Sequence, residues 1–241
     1  MIPYYGIDAG SDSFSQGNDP SIRMQWYMTP FDIEITDRLL ATTRSVRRRL
    51  DFDRPMDPDV LRDCVGLASY APNASNAQDW RWVIVTDPEQ RAAIAELYRE
   101  GIVPPMQELL ERRRADGDDA GVRHSEAVLY LAERFHEVPA LVIPCIRGEL
   151  DPDLHLAWTA SLFGSILPAV WSFQLALHSR GLASTFTTAH LLAADEVAAL
   201  LDIPDGYLQT CLIPVAYLLG DDLKPPARKD PDEIIAWNRW A

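Results

Sequence analysis

The stretch "APNASNAQDWRWVIVT", residues 71–86, joins a polar loop to a strongly apolar run. The run "RWVIVT" at 81–86 stops at Asp87-Pro88, which is the pattern of a short buried β-strand. A second run of this kind, "ALVIPCI" at 140–146, follows Pro139. We therefore predict that both runs are buried strands.

Helical patterns precede the first of these strands. The segment "DPDVLRDCVGLASYAP" at 57–72 has Asp57 as an N-cap candidate, Pro58 at the first helical position and Pro72 as a stop. Before it, apolar residues recur at three- and four-residue spacing from Phe31 to two threonines, Thr42 and Thr43, which predicts a first helix.

Two or three further helices are expected between the two strands. A charged turn, "ADGDDAG", ends one of them, and the next is expected to begin at "SEAVLYLAERFHE", with Ser125 as a possible cap. We interpret the region around 101–136 as a helical lid or excursion.

Beyond the second strand, the apolar segment at 157–180 predicts a long helix. "GLASTFTT" at 181–188 and "YLQTCLIPVAYLLG" at 207–220 predict further strands, separated by a short amphipathic helix at 193–204. Strands that stand singly between helices are typical of an α+β or α/β sandwich with a central sheet, here of four or five strands.

The composition is that of a globular protein, with 241 residues, 47% hydrophobic and 24% charged. A net charge of -14 argues against general binding to nucleic acid or anionic membranes, which requires an excess of Lys and Arg. Cys64, Cys145 and Cys211 stand far apart in apolar runs, so we expect no disulfide framework and a cytoplasmic protein. The longest apolar run, at 161–181, is interrupted by polar residues, Gly and Pro, and is expected to be a buried helix.

The first 28 residues lack both the basic start and the apolar centre of a signal peptide. They are rich in Gly, Ser, Asp and Asn, which leaves two interpretations: a flexible arm, or a start site assigned too early, with Met24 or Met28 as the natural one. The domain organisation that we predict is therefore an arm at 1–30 and one domain at 31–241.

The segment "TTRSVRRRLDF" at 42–52 concentrates arginines in an acidic chain. Guanidinium groups beside hydroxyls suit a phosphate, because two N–H groups can meet two oxygens. The alternative is a solvated basic turn that pairs with Asp51, Asp53 and Asp57. The residues alone leave both open.

The order of four segments favours the phosphate. The arginine segment, the loop "APNASNAQDW", the run "GLASTFTT" and the pair "IPVAYLLG" and "PPARKDPDEII" together resemble the nitroreductase superfamily of FMN-dependent flavoproteins. The resemblance covers residues 32–235, and "TTRSVRRRLDF" and the terminal "WNRW" look most similar to actinobacterial, mycobacterial-type members. It implies a three-layer α/β/α sandwich with a central, mostly antiparallel sheet, and a homodimer with FMN sites at the interface.

The resemblance also implies the cofactor-binding residues of the arginine segment, which are Arg44, Ser45, Val46 and Arg47. They match positions that hold the FMN phosphate and the pyrimidine edge of the flavin. A guanidinium there, for which we choose Arg47, stabilises the negative charge of reduced flavin around N1 and O2. Arg48 and Arg49 have no counterpart as ligands and are expected at the surface.

In the loop, Asn76 and Gln78 match amides that meet the flavin ring, which offers both donors and acceptors. A turn-stabilising Asn is the alternative. Asn73 stands where the family has Ser, in a segment that belongs to the partner subunit's half of the site, and Asp79 replaces the family's Pro.

Two further groups complete the implied set. Backbone N–H groups of Thr187, Thr188 and Ala189 match the donors to flavin N5 and O4. Near the C-terminus, Arg228 or its neighbour Lys229 matches a phosphate ligand.

The implied function is an FMN-dependent NAD(P)H oxidoreductase, in which hydride passes by ping-pong kinetics through flavin N5 to a nitroaromatic, a quinone or a similar acceptor. We expect no indispensable catalytic acid or base, because the flavin carries the chemistry. The alternatives are a low-turnover flavin-sequestering protein and a flavin-consuming or dehalogenating branch. NADH and NADPH stay undistinguished, although a free arginine such as Arg48 would favour NADPH.

His155 with Asp151 and Asp153 is the one metal candidate, and its spacing matches no established ligand motif. We therefore predict no metal. Without a Gly-x-Gly-x-x-Gly pattern, a nicotinamide would bind transiently over the flavin.

Overall fold

A computed structural model describes residues 31–150 and 155–240. The predicted arm at 1–30 lies outside the described residues, as do Asp151 and Asp153. The chain divides into two units, residues 1–37 and residues 38–241. The sheet, its covering helices and all candidate site residues belong to the second unit.

Six α-helices and six strands are described. The helices are α1 Ile33–Thr42, α2 Pro58–Ala68, α3 Pro88–Ala115, α4 Asp119–Glu133, α5 Leu156–His178 and α6 Ala194–Leu200. The strands are β1 Leu50–Asp51, β2 Trp80–Val85, β3 Ala140–Arg147, β4 Leu182–Ser184, β5 Tyr207–Gln209 and β6 Ile213–Leu218. Short 3-10 helices at Ala74–Asn76, Phe135–Glu137, Ala189–Ala193 and Pro231–Glu233 lie between them or follow them.

The predicted start of α2 is confirmed. Asp57 is the N-cap, its carboxylate accepts a hydrogen bond from the N–H of Asp59 at 2.9 Å, and Pro58 occupies the first turn. The predicted start of α4 is wrong. The cap is Asp118, which accepts from the N–H of Gly121 at 2.8 Å, whereas Ser125 is buried within the helix.

The sheet has six strands, where four or five were predicted. The run at 207–220 forms two strands because its register on β3 shifts by one residue between Gln209, which pairs with Cys145, and Ile213, which pairs with Val142. Before the shift, the Thr210 N–H and hydroxyl both donate to the carbonyl of Pro144, at 3.0 and 2.9 Å. The strand β1 has two residues, too few to show a periodic pattern. Likewise, the run at 181–188 is a strand only at Leu182–Ser184, followed by one bridge between Thr187 and Leu212.

Every described strand pairing is antiparallel, in the order β1-β6-β3-β2, with β4 added to β6 and β5 to β3. Val215 on β6 pairs with Ala140 on β3 and with Ser184 on β4, so β3 and β4 flank β6 on opposite sides. Consequently β4 and β2 lie at opposite edges of the sheet.

Alternate residues of β3 face two separate cores. Val142 packs with Cys64 of α2 and Phe173 of α5 on one face. Ile143 packs on the other face with Ile94 of α3 and Leu131 of α4. This arrangement confirms the three-layer α/β/α sandwich.

Two helices have features that matter for the site. Helix α3 runs through Pro104 and Pro105 without ending there. Helix α5 is long and apolar enough to cross a membrane by length and composition, yet Ile166 and Phe173 are fully buried against the sheet, as in the core helix of a globular domain.

Candidate functional site

The arginine segment lies along the outer edge of β4. The N–H of Val46 donates to the carbonyl of Ser184 at 2.9 Å, and the Val46 side chain is buried in the core. This anchor leaves Arg44 and Ser45 exposed and Arg47 half-buried. Val46 thus holds the segment in place while its neighbours face outward.

Arg47 is a half-buried cation for which we find no carboxylate partner among the described residues. Burial lowers the pKa of its guanidinium from the ordinary value. A buried charge without a counterion is costly, and a bound anion would offset that cost. Arg47 is therefore suited to an electron-rich ligand.

The other two arginines have partners. Arg48 lies 3.7 Å from a carboxylate oxygen of Glu126 on α4, so it is not the free arginine considered for NADPH. Arg49 is half-buried, because its Nε donates to the carbonyl of Leu219 at 2.7 Å while its own carbonyl accepts from the Leu219 N–H at 2.9 Å. Arg49, for which a surface position is expected, is thus partly covered and fastens β1 to the segment after β6.

The turn after β4 supplies backbone donors. The Thr187 N–H donates to the carbonyl of Leu212 at 3.1 Å, so the expectation that it faces the flavin is not met. In contrast, the N–H groups of Thr188 and Ala189 have no acceptor among the described residues. They open the 3-10 helix Ala189–Ala193, and the first N–H groups of a helix have no intrahelical acceptor.

Tyr98 on α3 is a site residue that sequence reasoning missed. The Thr187 hydroxyl donates to the Tyr98 phenol oxygen at 3.2 Å, and the Tyr98 ring stacks on Phe135 with centroids 4.3 Å apart. Burial raises the pKa of the phenol, and the Thr187 hydrogen bond and the charge of Arg47 oppose that rise. Tyr98 therefore stays a neutral hydroxyl beside both site segments.

Helix α4 borders the same region. Partial desolvation, and then repulsion from Arg47 and Arg113, lower the pKa of its His124. Arg113 of α3 donates to the buried Ser125 hydroxyl at 2.7 Å and fixes α4 to α3. The α3–α4 hairpin thus borders the arginine segment, which it also contacts through the ion pair of Glu126 with Arg48.

The loop before β2 is held in an unusual conformation. Asn73 Oδ1 accepts from the Gln78 N–H at 2.9 Å, so this carboxamide organises the loop. Ser75, Asn76 and Gln78 have φ values of 55°, 52° and 54°, in the left-handed region that non-glycine residues rarely adopt. Strain of this kind concentrates at functional sites. The Asn76 and Gln78 side chains are exposed.

A cleft of about 210 Å³ adjoins this loop. The N–H of Ala74 donates to the Ser165 hydroxyl of α5 at 2.9 Å, which fastens the loop to that helix. The cleft is lined by loop residues, by the end of β3 at Arg147, and by Trp158 and Ser161 of α5.

The two halves of the predicted site are not adjacent within one chain. The arginine segment and Thr188 lie at the β4 edge of the sheet, whereas the Asn73–Gln78 loop leads into β2 at the opposite edge. Two strands, β6 and β3, lie between those edges, which corresponds to three strand spacings or about 14 Å.

The remaining predicted residues are not brought to these groups. Arg228 is exposed and its guanidinium donates to the carbonyl of the preceding Ala227 at 3.1 Å. Lys229 is exposed too, and among the described residues neither contacts the arginine segment through a hydrogen bond or ion pair.

Only His155 of the metal candidate lies within the described residues. His155 caps α5, its Nδ1 accepting from the N–H of Ala157 at 3.1 Å, and no group of three ligating side chains is found in the described part of the chain. Burial raises the pKa of Cys145 to about 11 and that of Cys211 to about 12, so both stay protonated at neutral pH.

With this geometry in place, comparison with known proteins gives the class. Residues 40–217 match the Nitroreductase family, and the chain belongs to that family. The membership confirms the resemblance found in the sequence and supports an oxidoreductase. The similarity to actinobacterial members stays a prediction.

Individual relatives have low sequence identity to this chain. A nitrobenzene nitroreductase from Ectopseudomonas oleovorans is 26% identical over 196 residues, which cover 71% of this chain and 82% of that protein. Iodotyrosine deiodinase, solved with FMN and 3-iodo-L-tyrosine, has a TM-score of 0.63 at 22% identity over 84% of this chain and 98% of that chain. A variant of NfnB, an FMN- and NADPH-dependent nitroreductase from sphigopyxis sp. strain HMH, has a TM-score of 0.62 at 22% identity over 85% of this chain and 99% of that chain. The two structures share the fold.

Proposed function

We propose that this protein is an FMN-dependent oxidoreductase that takes electrons from NAD(P)H and passes them to an electron-poor acceptor such as a nitroaromatic or a quinone. The observation that carries the proposal is that Arg47, half-buried and with no carboxylate partner among the described residues, lies at the same sheet edge as the N–H groups of Thr188 and Ala189, which have no acceptor among those residues. FMN would supply the chemistry by accepting hydride at N5 and releasing electrons to the second substrate.

The residues of this edge fit the ring of FMN. A flavin ring gains electrons and negative charge at its N1–O2 side, where a fixed guanidinium is stabilising. Arg47 can hold that side because we find no carboxylate beside it within the described ranges. Thr188 and Ala189 can bind the N5–O4 side, since their N–H groups have no other acceptor there.

Arg44 and Ser45 fit the phosphate. Both are exposed beside the buried Val46, so their donors are accessible from solvent. Arg228 and Lys229 join them in this proposal from the family resemblance. A phosphate accepts bidentate hydrogen bonds from guanidinium groups, which favours Arg at such a position.

The separation of the two half-sites supports a homodimer. We infer that the Asn73–Gln78 loop of one subunit completes the site at the β4 edge of the other, with Asn76 and Gln78 reaching the flavin. In one chain the two edges are about 14 Å apart, too far for one amide to span. One exposed face of α5 offers a place for the contact.

That face of α5 is a stripe of exposed apolar and small residues. It consists of Ala160, Gly164, Leu167 and Trp171, which recur at the spacing of one helix side. Small residues at 160 and 164 let a second helix approach closely. Because α5 also fastens the loop through Ser165, the stripe and the loop belong to one surface.

The proposal also concerns which nicotinamide donates the electrons and to which branch of the family the protein belongs. The pairing of Arg48 with Glu126 removes the sequence argument for NADPH, so either nicotinamide fits. The flavin-sequestering and dehalogenating alternatives use the same cofactor, and turnover with defined substrates separates them.

The test is the absorption spectrum of the purified protein under anaerobic conditions. Flavin bands that bleach with NADPH or NADH and return with a nitroaromatic or quinone are the expected result. Bound flavin that neither nicotinamide bleaches would overturn the oxidoreductase proposal in favour of sequestration. A protein that stays colourless after incubation with FMN would contradict the cofactor itself.

A further inference from the structure

One face of α3 contacts the turn that carries the N–H groups of Thr188 and Ala189. Tyr98 and Gly101 lie on this face one helical turn apart, and neither was singled out by the sequence. Tyr98 is 3% exposed. Together these two residues contact the turn on both sides of Thr188.

On the first side, Tyr98 fixes Thr187. The Thr187 backbone is already bound in both directions to Leu212, at 3.1 Å through its N–H and 2.7 Å through its carbonyl. The hydrogen bond of 3.2 Å between its hydroxyl and Tyr98 Oη is therefore a third restraint, from a different layer of the fold. Stacking on Phe135 in turn fixes the Tyr98 ring.

On the second side, Gly101 lets α3 approach Ala189. A Cβ at position 101 would lie 3.0 Å from the Ala189 carbonyl oxygen and 3.1 Å from Leu192 Cδ1. Such distances are shorter than normal packing, so a side chain would push the turn away by a few tenths of an ångström. The absence of a side chain therefore sets how closely helix and turn pack.

We propose that Tyr98 and Gly101 are positioning residues of the flavin site, which hold the turn at 187–189 so that the N–H groups of Thr188 and Ala189 point at the cofactor. This inference rests on the proposed function. Hydrogen bonds depend steeply on direction, so a small displacement of two backbone donors changes how well they meet N5 and O4. Misplacement by about 1 Å can cost an enzyme roughly 100-fold in rate.

Three substitutions perturb this contact in different ways. Tyr98→Phe removes the hydroxyl and keeps the ring on Phe135. Thr187→Val removes the same hydrogen bond from the other side. Gly101→Ala adds one methyl group against the Ala189 carbonyl.

Each variant is expected to slow the reduction of bound FMN by about 10-fold in anaerobic stopped-flow measurements. Each is also expected to shift the visible absorption bands of the bound flavin, a readout that does not depend on turnover. The FMN dissociation constant and the melting temperature should change little, because the phosphate contacts and the core are kept.

Matched controls exist in the chain. Tyr130→Phe removes a phenol that accepts from Arg134 at 2.9 Å on α4, and Gly66→Ala adds a methyl to a helical glycine with nothing within 4 Å. In both controls the bound FMN should be reduced as fast as in the unaltered protein and should show the same absorption bands. The Tyr98→Phe/Thr187→Val double variant should be no slower than either single variant, because both remove one bond.

The inference would be overturned if all three variants had the flavin spectrum and the reduction rate of the unaltered protein. It would also be overturned if the reductions in rate of Tyr98→Phe and Thr187→Val added up in the double variant. If Tyr98→Phe does not fold, Thr187→Val and Gly101→Ala decide alone. An unaltered protein that holds FMN but is not reduced would instead contradict the proposed function, while the spectral shifts would still test the positioning.

Discussion

The N–H of Val46 donates to the carbonyl oxygen of Ser184 at 2.9 Å, and this hydrogen bond ties the arginine segment to the edge of β4. Arg47 and the turn containing Thr188 thereby become parts of one edge, although they are far apart in sequence. The chemistry that we propose depends on this juxtaposition.

Removing the charge of Arg47 should impair flavin reduction more than flavin binding. For Arg47→Ala we expect a lower reduction potential and reduction by NAD(P)H slower by roughly 100-fold, because one preorganised donor to the developing charge is lost. The measurement is anaerobic stopped-flow reduction together with the FMN dissociation constant. Arg48→Ala, which removes an exposed arginine paired with Glu126, is the control. Unchanged reduction kinetics in Arg47→Ala would refute the role.

The phosphate assignment predicts cofactor loss. Arg44→Ala combined with Arg228→Ala should leave a folded protein whose affinity for FMN falls by at least about 10-fold, since charged hydrogen bonds contribute about 1.5–3 kcal/mol each. Loss of yellow colour on dialysis and a fluorescence titration would measure it. Arg62→Ala, an exposed arginine paired with Asp59, is a comparison that should keep its flavin. A double variant that retains full FMN would rule out the assignment.

The stripe on α5 predicts the oligomeric state. Gly164→Leu should place a bulky side chain in the contact between subunits, shifting dimer to monomer and releasing FMN. Gly66→Leu is matched to it, because both glycines are exposed, helical and have nothing within 4 Å of an added Cβ. Sedimentation velocity measures the oligomeric state, and the flavin absorbance measures the FMN content. Two variants that both remain flavin-containing dimers would exclude this face.

The buried His190 predicts a pH dependence of stability. It is fully buried, its ring nitrogens have no partner among the described residues, and burial lowers its pKa to about 4. A group whose pKa is lower folded than unfolded, where it is about 6.5, stabilises the fold above pH 6.5 and loses that contribution as the pH falls toward 4.

Between pH 7 and pH 5 this single group should lower the free energy of unfolding by about 2 kcal/mol. In urea titrations, His190→Leu should show a pH dependence smaller by that amount. The same replacement at the exposed His136 is the control. Parallel pH profiles for His190→Leu and the unaltered protein would show that the ring is not neutral in the fold.

Local signals in the sequence predict much of this fold. Asp57-Pro58 marks the start of α2 because a cap and a first-turn proline act within a few residues. The predicted start at Ser125 failed because a hydroxyl that serves as a cap looks the same as one that accepts from Arg113. Only the three-dimensional contact distinguishes the two.

The candidate site likewise contains residues that the sequence could reveal and residues that it could not. Arg47 could be found because its neighbours form a motif, whereas no motif surrounds Tyr98 in the sequence of α3. Its contact with Thr187 spans 89 residues, so no local pattern contains it. That the Thr187 N–H is occupied likewise depends on pairing with Leu212, which the sequence does not specify.

The two prolines within α3 divide the helix into parts that can change independently. Pro104 and Pro105 provide no N–H for the carbonyls of Glu100 and Gly101, so the helix is least rigid there. The turns before this point hold Tyr98 and Gly101, and those after it lead to Arg113 and α4. Protein engineers could therefore graft a different hairpin after Pro105 while leaving the turn at 187–189 untouched.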